Sequence, residues 1–240
     1  MTEGRERLTF SPISHVYEYD GMRVPGVTSV LNIVNGLEGA PADRVMAAGI
    51  RGSLVHKATE NHDLGLAWDK GIKDEEVRTE IWPYVSAYFA FLDDYRDLIG
   101  IETIEERLYH PLHQYAGTAD RVVILNGERA VEDIKTAAKL SPATGPQLAA
   151  YKDAANAHRS RKEQIERRFS LQLKKDGTYV LKFYNAEDDL AVFLHCLALY
   201  RWRIRMGMGE IRPFGAVSAG AAYEFGEGGT WPLVAASSVT

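Results

Sequence analysis

The sequence contains very little cysteine, since Cys196 is the only one among 240 residues. One thiol cannot form an internal disulfide, a cysteine-rich zinc site or a four-cysteine iron–sulfur cluster. Any metal site in this chain must therefore use oxygen and imidazole ligands.

Long hydrophobic runs are also absent. Apolar stretches such as 122–125 span only a few residues, whereas a membrane-spanning helix needs about 20. Residues 1–7 are polar and of mixed charge, unlike the apolar core of an export signal. We therefore expect a cytoplasmic protein that makes no contact with a membrane.

The chain has no excess of basic residues: 28 Lys and Arg against 33 Asp and Glu give a net charge of −5. The charge is nevertheless unevenly distributed. Residues 60–106 hold 13 acidic and 4 basic residues, whereas residues 151–175 hold 8 basic and 3 acidic ones. Either block can be a solvated surface, but a basic block also suits contacts to phosphates.

Composition and patterning favour one globular domain, because 45% of the residues are hydrophobic and neither a repeat nor a linker is evident. We predict a single domain over residues 1–213 and a tail rich in glycine and alanine over residues 214–240. Apolar spacing predicts helices over 41–61, 74–98, from about 146, and 185–205, and strands over 101–109, 118–125, 129–136, 165–173 and 178–184. This order predicts an α/β fold, with a central mixed β-sheet flanked by helices and an additional C-terminal hairpin and helix.

The dipeptide Asn126-Gly127 lies between two apolar runs and predicts a two-residue hairpin turn. Such a turn fixes the pairing of the strands on either side of it. Followed along the two strands, the pairing brings Asp120 opposite Asp133, with their side chains on one face of the sheet. The same register places Glu132 beside Arg121 on the other face, as an ordinary ion pair outside the site.

Two opposed aspartates need a compensating charge. Carboxylates about 5 Å apart repel by about 3 kcal/mol at an effective dielectric constant of about 20. A proton on one carboxyl, the amine of Lys135 on the same face, or a divalent cation could each offset this repulsion. The geometry alone is equally compatible with a structural cluster of two aspartates and a lysine.

Several segments together resemble a known family. Gly117-Thr-Ala-Asp120, residues 131–136 (Val-Glu-Asp-Ile-Lys-Thr) and Gln147-Leu-Ala-Ala-Tyr151 occur in this order after Arg51-Gly-Ser-Leu-Val-His56. The set resembles the PD-(D/E)xK nuclease superfamily, specifically its RecB-like branch, which includes many phage exonucleases. The opening residues 15–31 are also similar to phage members of that group.

The resemblance implies a restriction-endonuclease-like core that binds one or two Mg²⁺ or Mn²⁺ ions. In this interpretation Asp120 bridges the ions, and Asp133 binds one of them together with the backbone carbonyl of Ile134. His56 completes the ligand set from a neighbouring helix. Glu106 occupies the position of a further acidic ligand, which would contact a second ion directly or through water.

The resemblance also implies roles beside the metal. Lys135 would orient or deprotonate the attacking water and stabilise charge on the phosphate, and Gln147 and Tyr151 would hold DNA or position Lys135 and the metal ligands. Six basic residues are expected to contact DNA phosphates: Arg51, Arg159, Arg161, Lys162, Arg167 and Arg168.

The implied activity is that of a metal-dependent deoxyribonuclease, specifically an exonuclease that degrades linear DNA from its ends in phage-type recombination, replication or repair. The cytoplasm would then be that of a bacterium or a phage-infected host. A recombinase or single-strand annealing protein is a potential partner, and an oligomer is compatible with the resemblance. The iron–sulfur cluster of some relatives is excluded by the single cysteine.

Two other functions remain open at this point. One is a non-cleaving nucleic-acid-binding or assembly protein on the same fold, and the other is a structure-specific endonuclease. The sequence contains no Gly-x-x-x-x-Gly-Lys-[Ser/Thr] motif, so any nuclease would act without a motor in the same chain.

Overall fold

A computed structural model describes residues 7–11, 14–34 and 42–210; the predicted tail, 214–240, lies outside them. The helices and strands follow in the order β1 (Leu8–Ser11), β2 (Val16–Tyr19), β3 (Met22–Val24), α1 (Val27–Leu31), α2 (Ala42–Asp63), α3 (Glu75–Asp94), β4 (Ile99–His110), β5 (Tyr115–Leu125), β6 (Glu128–Lys135), α4 (Thr144–Asn156), β7 (Arg167–Leu173), β8 (Tyr179–Phe183) and α5 (Asp189–Arg205). Among the described helices, none is long and apolar enough to cross a membrane.

The central sheet has five strands in the order β4-β5-β6-β7-β8. Strands β6 and β7 are parallel, because the chain crosses between them through α4, and the other neighbours are antiparallel. The predicted α/β fold with a mixed sheet and a C-terminal hairpin and helix is therefore confirmed.

Helices cover both faces of this sheet, and the alternation of strand side chains supplies each face with its own apolar core. Val122 and Val131 pack in one cluster with residues of α1, α4 and α5. Their neighbours Val123 and Ala130 pack in a second cluster with residues of α2 and α3. The strands β5 and β6 are thus buried on both sides.

Helix α3 begins at a capped N-terminus, where the Asp74 carboxylate accepts hydrogen bonds from the backbone N–H groups of Glu76 and Val77. Its buried face includes Ile81, Tyr84, Val85, Tyr88 and Phe91, at the three- and four-residue spacing of an amphipathic helix. This face holds α3 against α2 and the sheet.

The N-terminal strands β1, β2 and β3 form a separate antiparallel sheet. Its second hairpin turns at Asp20 and Gly21, which have φ angles of 51° and 73°, as the Asp-Gly dipeptide favours. The following segment is tied to β5, because the backbone N–H of Ala116 donates to the carbonyl oxygen of Pro25 at 2.9 Å. The small sheet is thereby held at the start of β5.

The hairpin between β5 and β6 has the predicted register. Five pairs are formed, from Leu125 with Glu128 at the turn to Arg121 with Glu132 at the far end. Asn126 and Gly127 have φ angles of 50° and 82°, the left-handed conformation that a tight turn between twisted strands requires. The turn therefore determines which residues of the two strands face each other.

We predict that Gly127→Ala lowers the free energy of unfolding by about 1–2 kcal/mol, because an alanine is strained in the left-handed conformation. Gly100→Ala is the matched control, since Gly100 lies in β4 and a Cβ atom there would meet no other atom within 4 Å. This control is expected to change stability by less than about 0.5 kcal/mol. Urea denaturation measures both, and equal effects of the two variants would contradict the turn argument.

Candidate functional site

Asp120 and Asp133 lie where the pairing of β5 with β6 ends. Both are buried, with 9% and 2% of their surface exposed. The backbone N–H of Ile134 donates a hydrogen bond of 2.7 Å to Oδ2 of Asp120, so this carboxylate reaches across to the neighbouring strand. The two acidic side chains and the Ile134 backbone therefore form one end of the hairpin.

Lys135 contacts the second of these carboxylates. Its Nζ donates a hydrogen bond of 2.9 Å to Oδ1 of Asp133 and lies 2.8 Å from Oδ2. Both oxygens of this buried carboxylate therefore face one amine. Each carboxylate oxygen has a second lone pair, which remains suited to a cation.

His56 of α2 contacts the other carboxylate. Its Nδ1 lies 3.4 Å from Oδ1 of Asp120, and its Nε2 donates to the carbonyl oxygen of Ile134 at 3.0 Å. Burial lowers the pKa of the imidazole, but the adjacent Asp120 carboxylate outweighs this effect and raises the pKa to about 8. The ring thus lies between two oxygen atoms that the sequence interpretation assigns to a metal.

A third carboxylate, that of Glu105, belongs to this group. Three potential ligand atoms lie within 4.8 Å of one another: a ring nitrogen of His56 and one carboxylate oxygen each of Glu105 and Asp120. The register of β4 with β5 shifts at a bulge between Ile101 and Thr103, so that Glu105 lies opposite Asp120. Without this one-residue shift, residue 104 would occupy the position opposite Asp120.

Glu106, which the resemblance assigns to the metal, lies elsewhere. Its side chain is 4% exposed, and its Oε2 accepts hydrogen bonds from Thr103 at 2.7 Å and from Arg159 at 3.0 Å. The carboxylate that the structure brings to His56 and Asp120 is that of Glu105, whereas Glu106 is held by Arg159 and Thr103. A pattern of alternating residues does not reveal the bulge in β4 that places Glu105 there.

The group holds more negative than positive charge. Burial, reinforced by the neighbouring Asp120 carboxylate, raises the pKa of Glu105 to about 7. Burial also raises the pKa of Asp133, against the opposing effect of Lys135. The group of His56, Glu105 and Asp120 and the adjoining pair of Asp133 and Lys135 together hold three carboxylates, one imidazole and one amine, so a divalent cation would offset the excess charge.

Gln147 and Tyr151 are adjacent on α4, as their spacing predicts, and Nε2 of Gln147 donates to the Tyr151 hydroxyl at 3.1 Å. The Tyr151 ring packs directly on β5 at Gly117, where a Cβ atom would come within 2.6 Å of the ring. Burial raises the pKa of Tyr151, and the charges of Asp133 and Asp120 act in the same direction. The pair therefore lies beside the carboxylates.

Tyr17 was missed by sequence reasoning. Its hydroxyl lies 2.8 Å from Oγ1 of Thr118, two residues before Asp120, and burial together with the charges of Glu105 and Asp120 raises its pKa despite this hydrogen bond. Tyr17 belongs to the small N-terminal sheet, whose position relative to β5 no local sequence pattern reveals.

Lys182 was also missed. Asp133 pairs with Ser170 of β7, and Ser170 pairs with Lys182 of β8, so the three lie in one row across the sheet. The Lys182 amine lies over the ring of Tyr184, 4.9 Å from its centroid. Lys182 and Tyr184 also line an open depression of about 390 Å³. The sequence signal for Lys182 was the predicted pair of strands that form the β7–β8 hairpin, because the register of this hairpin places Lys182 opposite Ser170.

Glu132 departs from the expected ordinary ion pair with Arg121. Arg121 instead forms ion pairs with Asp63 at 2.6 Å and Glu105 at 3.7 Å. Glu132 is 1% exposed, and its Oε1 accepts no hydrogen bond within the described residues. Burial raises its pKa to about 8. The reason for the difference is that Asp63, the Asp120 carbonyl oxygen and Thr59 accept the hydrogen bonds of the guanidinium.

Two of the six basic residues expected to contact DNA are used inside the protein. Arg168 is 8% exposed and donates to Asp189 at 2.7 Å and to the carbonyl oxygen of Gly145 at 2.8 Å. Arg159 is held by Glu106. The structure thus gives both side chains partners inside the protein, which the run of basic residues in the sequence does not indicate.

The other four basic residues are more accessible. Arg161 and Lys162 are exposed in a short 3₁₀ helix, Arg167 pairs with Glu128, and Arg51 is partly buried over the ring of Tyr84. The carbonyl oxygen of Lys162 accepts a hydrogen bond from Arg129, which lies about 14 Å along β6 from Asp133. Arg161 and Lys162 are therefore near the site's sheet but not at its carboxylates.

A second group of metal-ligand type, His110, His113 and Asp153, lies at the other end of β5. Its members are hydrogen-bonded to each other: Nδ1 of His110 accepts from the backbone N–H of His113 at 3.0 Å, and Nε2 lies 3.2 Å from Asp153. Tyr115 also donates to Asp153, at 3.0 Å. Since both nitrogens of His110 have partners, we interpret this group as a structural link between the β4–β5 hairpin and α4.

Comparison with known proteins finds limited similarity. No protein-family model and no curated protein sequence matches the chain. A crystal structure of LHK-Exo in complex with dAMP is similar with a TM-score of 0.38 and 11% identity, over 77% of this chain and 89% of that chain. A crystal structure of the alkaline exonuclease LHK-Exo from Laribacter hongkongensis gives a TM-score of 0.37 and 14% identity, over 78% and 95%.

We predict that Glu105→Gln weakens the binding of Mn²⁺ at least about tenfold, because it removes one charged oxygen ligand from the group. Glu106→Gln is the matched control, since it makes the same chemical change one residue away, at a carboxylate held by Arg159. Isothermal titration calorimetry measures both affinities. A larger loss in Glu106→Gln than in Glu105→Gln would show that the assignment of the third ligand is wrong.

Proposed function

We propose that the chain is a divalent-metal-dependent DNA nuclease of the PD-(D/E)xK type. The observation that supports it best is the convergence of His56, Glu105 and Asp120, whose ligand atoms lie within 4.8 Å of one another, beside the buried pair of Asp133 and Lys135. A structural ion cluster would be expected to balance its buried charges with partners of opposite sign. Here three carboxylates accompany one imidazole and one amine, and a divalent cation would balance the remaining negative charge.

The donor set fits a hard cation such as Mg²⁺ or Mn²⁺. Asp120, Asp133 and Glu105 offer carboxylate oxygens, the Ile134 carbonyl offers a neutral oxygen, and His56 offers an imidazole nitrogen. Oxygen-rich sets of this kind suit Mg²⁺ and Mn²⁺ better than softer metals. When bound, such an ion supplies the positive charge that neutralises a phosphodiester and makes water a better nucleophile at neutral pH.

His56 and the Ile134 carbonyl can join such a set after one change in this structure. The Nε2 atom of His56 now donates to that carbonyl oxygen, and its Nδ1 faces Asp120. A histidine must present a neutral nitrogen to a metal. The imidazole would therefore exchange one of its two oxygen contacts for the metal, while Asp120 stays fixed by the Ile134 N–H group.

Lys135 is the residue that we assign to the scissile phosphate. Its amine is held by Asp133 and offers three N–H donors on a flexible stem, so it can keep this contact and also donate to a phosphate oxygen or to the attacking water. Charge that develops on the phosphate during hydrolysis would be stabilised by this donor.

Gln147, Tyr151 and Tyr17 are assigned to positioning the DNA strand. The Gln147–Tyr151 pair packs against β5 at Gly117, and the Tyr17 hydroxyl lies against Thr118. These side chains border the carboxylates from two separate elements and would restrict where a phosphodiester can lie. Lys182 in the row with Asp133 is a further phosphate contact, and Arg51, Arg161, Lys162 and Arg167 remain proposed contacts farther away.

We propose exonuclease action on linear DNA, on the basis of the resemblance of the ordered motifs to phage exonucleases. Mg²⁺ or Mn²⁺ dependence, a role in recombination, replication or repair, and a recombinase or single-strand annealing partner belong to the same proposal. The acid and lysine set argues against a binding protein that has lost activity, because binding alone does not require opposed carboxylates.

We predict that Asp133→Asn and Lys135→Ala each lower the Mg²⁺-dependent cleavage of linear duplex DNA by about 100-fold or more. The first removes the charge of a metal ligand and the second removes the donor to the phosphate. Gel electrophoresis of end-labelled DNA measures the rate, and circular dichroism checks the fold.

The matched controls are Asp97→Asn and Lys175→Ala, two exposed positions at which the same substitutions are expected to leave the rate unchanged. DNA binding by the wild-type protein without cleavage at any divalent metal would contradict the nuclease proposal and indicate the binding protein instead.

The mode of cleavage is tested by the shape of the substrate. An exonuclease needs a DNA end, so we predict degradation of linear duplex DNA and no cleavage of covalently closed circular DNA of the same sequence. Linearising the circle with a restriction enzyme must make it a substrate. Nicking or linearisation of the closed circle by the wild-type protein, absent in Asp133→Asn, would instead identify an endonuclease.

A further inference from the structure

Arg121 is a fully buried arginine next to Asp120, with no exposed surface. Its Nε donates to the Asp63 carboxylate at 2.6 Å, one Nη atom donates to the carbonyl oxygen of Asp120 at 2.6 Å, and the other donates to the Thr59 hydroxyl at 3.4 Å. The guanidinium also lies 3.7 Å from Oε1 of Glu105.

These contacts reach the three elements that carry the proposed metal ligands. Thr59 and Asp63 lie on α2, about one and two turns after His56. The Asp120 carbonyl belongs to β5, and Glu105 belongs to β4. One side chain therefore links the backbone or side chains of all three elements behind the group of His56, Glu105 and Asp120.

The link is itself held in place from α3. The hydroxyl of Tyr88 lies 2.9 Å from each carboxylate oxygen of Asp63. The same carboxylate forms the ion pair with Arg121. Both Tyr88 and Arg121 have no exposed surface. Solvent thus cannot replace the contacts of the guanidinium, and their loss would leave buried polar groups unpaired.

We propose that Arg121 is a positioning residue that fixes the spacing of His56, Glu105 and Asp120 and thereby sets the affinity of the site for a divalent metal. This inference rests on the proposed metal site. Arg121 acts through the ligands and does not contact metal or DNA. The planar guanidinium is suited to this task, because its five N–H donors have a fixed geometry that a lysine amine cannot reproduce.

The experiment compares Arg121→Lys with Arg168→Lys. Arg168 is the matched control, because it is also a buried arginine with a carboxylate partner, Asp189 at 2.7 Å. It contacts α4 and α5 and not the metal-ligand group. The Mn²⁺ affinity is measured by calorimetry, and DNA cleavage is measured as a function of Mn²⁺ concentration. Thermal unfolding measures the stability of each variant.

We expect Arg121→Lys to weaken Mn²⁺ affinity about 10- to 100-fold, as the loss of an outer contact to metal ligands does. The half-maximal Mn²⁺ concentration for cleavage should rise by the same factor, while the rate at saturating Mn²⁺ stays within a few-fold of the wild type. Arg168→Lys should lose stability without a change in Mn²⁺ affinity. A purely structural role of Arg121 would instead lower stability in both variants and change the metal dependence in neither.

A second variant covers the case in which Arg121→Lys does not fold. Asp63→Asn keeps the shape of the partner carboxylate but removes its charge, and it should shift the Mn²⁺ dependence in the same direction by a smaller factor. Unchanged Mn²⁺ affinity in the folded variants would overturn the proposal.

The proposed function and the positioning role fail in different ways. A wild-type protein that binds Mn²⁺ but cleaves no DNA contradicts the nuclease proposal, and the calorimetric comparison still decides the role of Arg121. A wild-type protein that binds no Mn²⁺ contradicts both.

Discussion

The mutual repulsion of Asp120 and Asp133 is the constraint on which the rest of the site depends. Each carboxylate is buried and has its own partners: His56 and the Ile134 N–H group contact Asp120, and Lys135 contacts Asp133. The opposing effects appear in the pKa values. Burial raises the pKa of Asp120, but His56 outweighs it and the net pKa is lowered, whereas that of Asp133 is raised. The two acids are therefore unequally compensated, and a cation at Asp133 would remove the difference.

The register of the β5–β6 hairpin was predictable because a two-residue turn leaves the chain little freedom. Asn126-Gly127 determines five cross-strand pairs, and with them the approach of Asp120 to Asp133. The third carboxylate was not predictable in the same way. Glu105 reaches Asp120 through a bulge and has a φ angle of 48°, and neither feature has a signature in an alternating pattern of residues. The position of Tyr17 depends on how a separate sheet docks, which is a property of the whole fold.

The burial of charged side chains was the other limit of sequence reasoning. Arg159 and Arg168 belong to a basic block that suggests a DNA-binding surface, yet both are paired with acids inside the protein. The sequence predicts an ordinary ion pair between Glu132 and Arg121 across two strands. Both side chains are buried instead, and Arg121 forms ion pairs with a carboxylate of α2 and a carboxylate of β4. In each case local sequence shows the charge, and only the packing of distant elements shows whether solvent or a partner compensates it.

Buried polar groups of this kind are costly, and apolar side chains of the same size would often stabilise a fold as well or better. Apolar contacts, however, are non-directional and tolerate small shifts between a helix and a sheet, whereas hydrogen bonds of 2.6 Å from Arg121 to Asp63 and to the Asp120 carbonyl fix distances. The proposed metal ligands come from α2, β4 and β5 and would need such fixed distances. We therefore interpret the polar layer between α2 and the sheet as serving the geometry of the site, since its contribution to stability alone does not account for the burial of an arginine with Asp63 and Glu132.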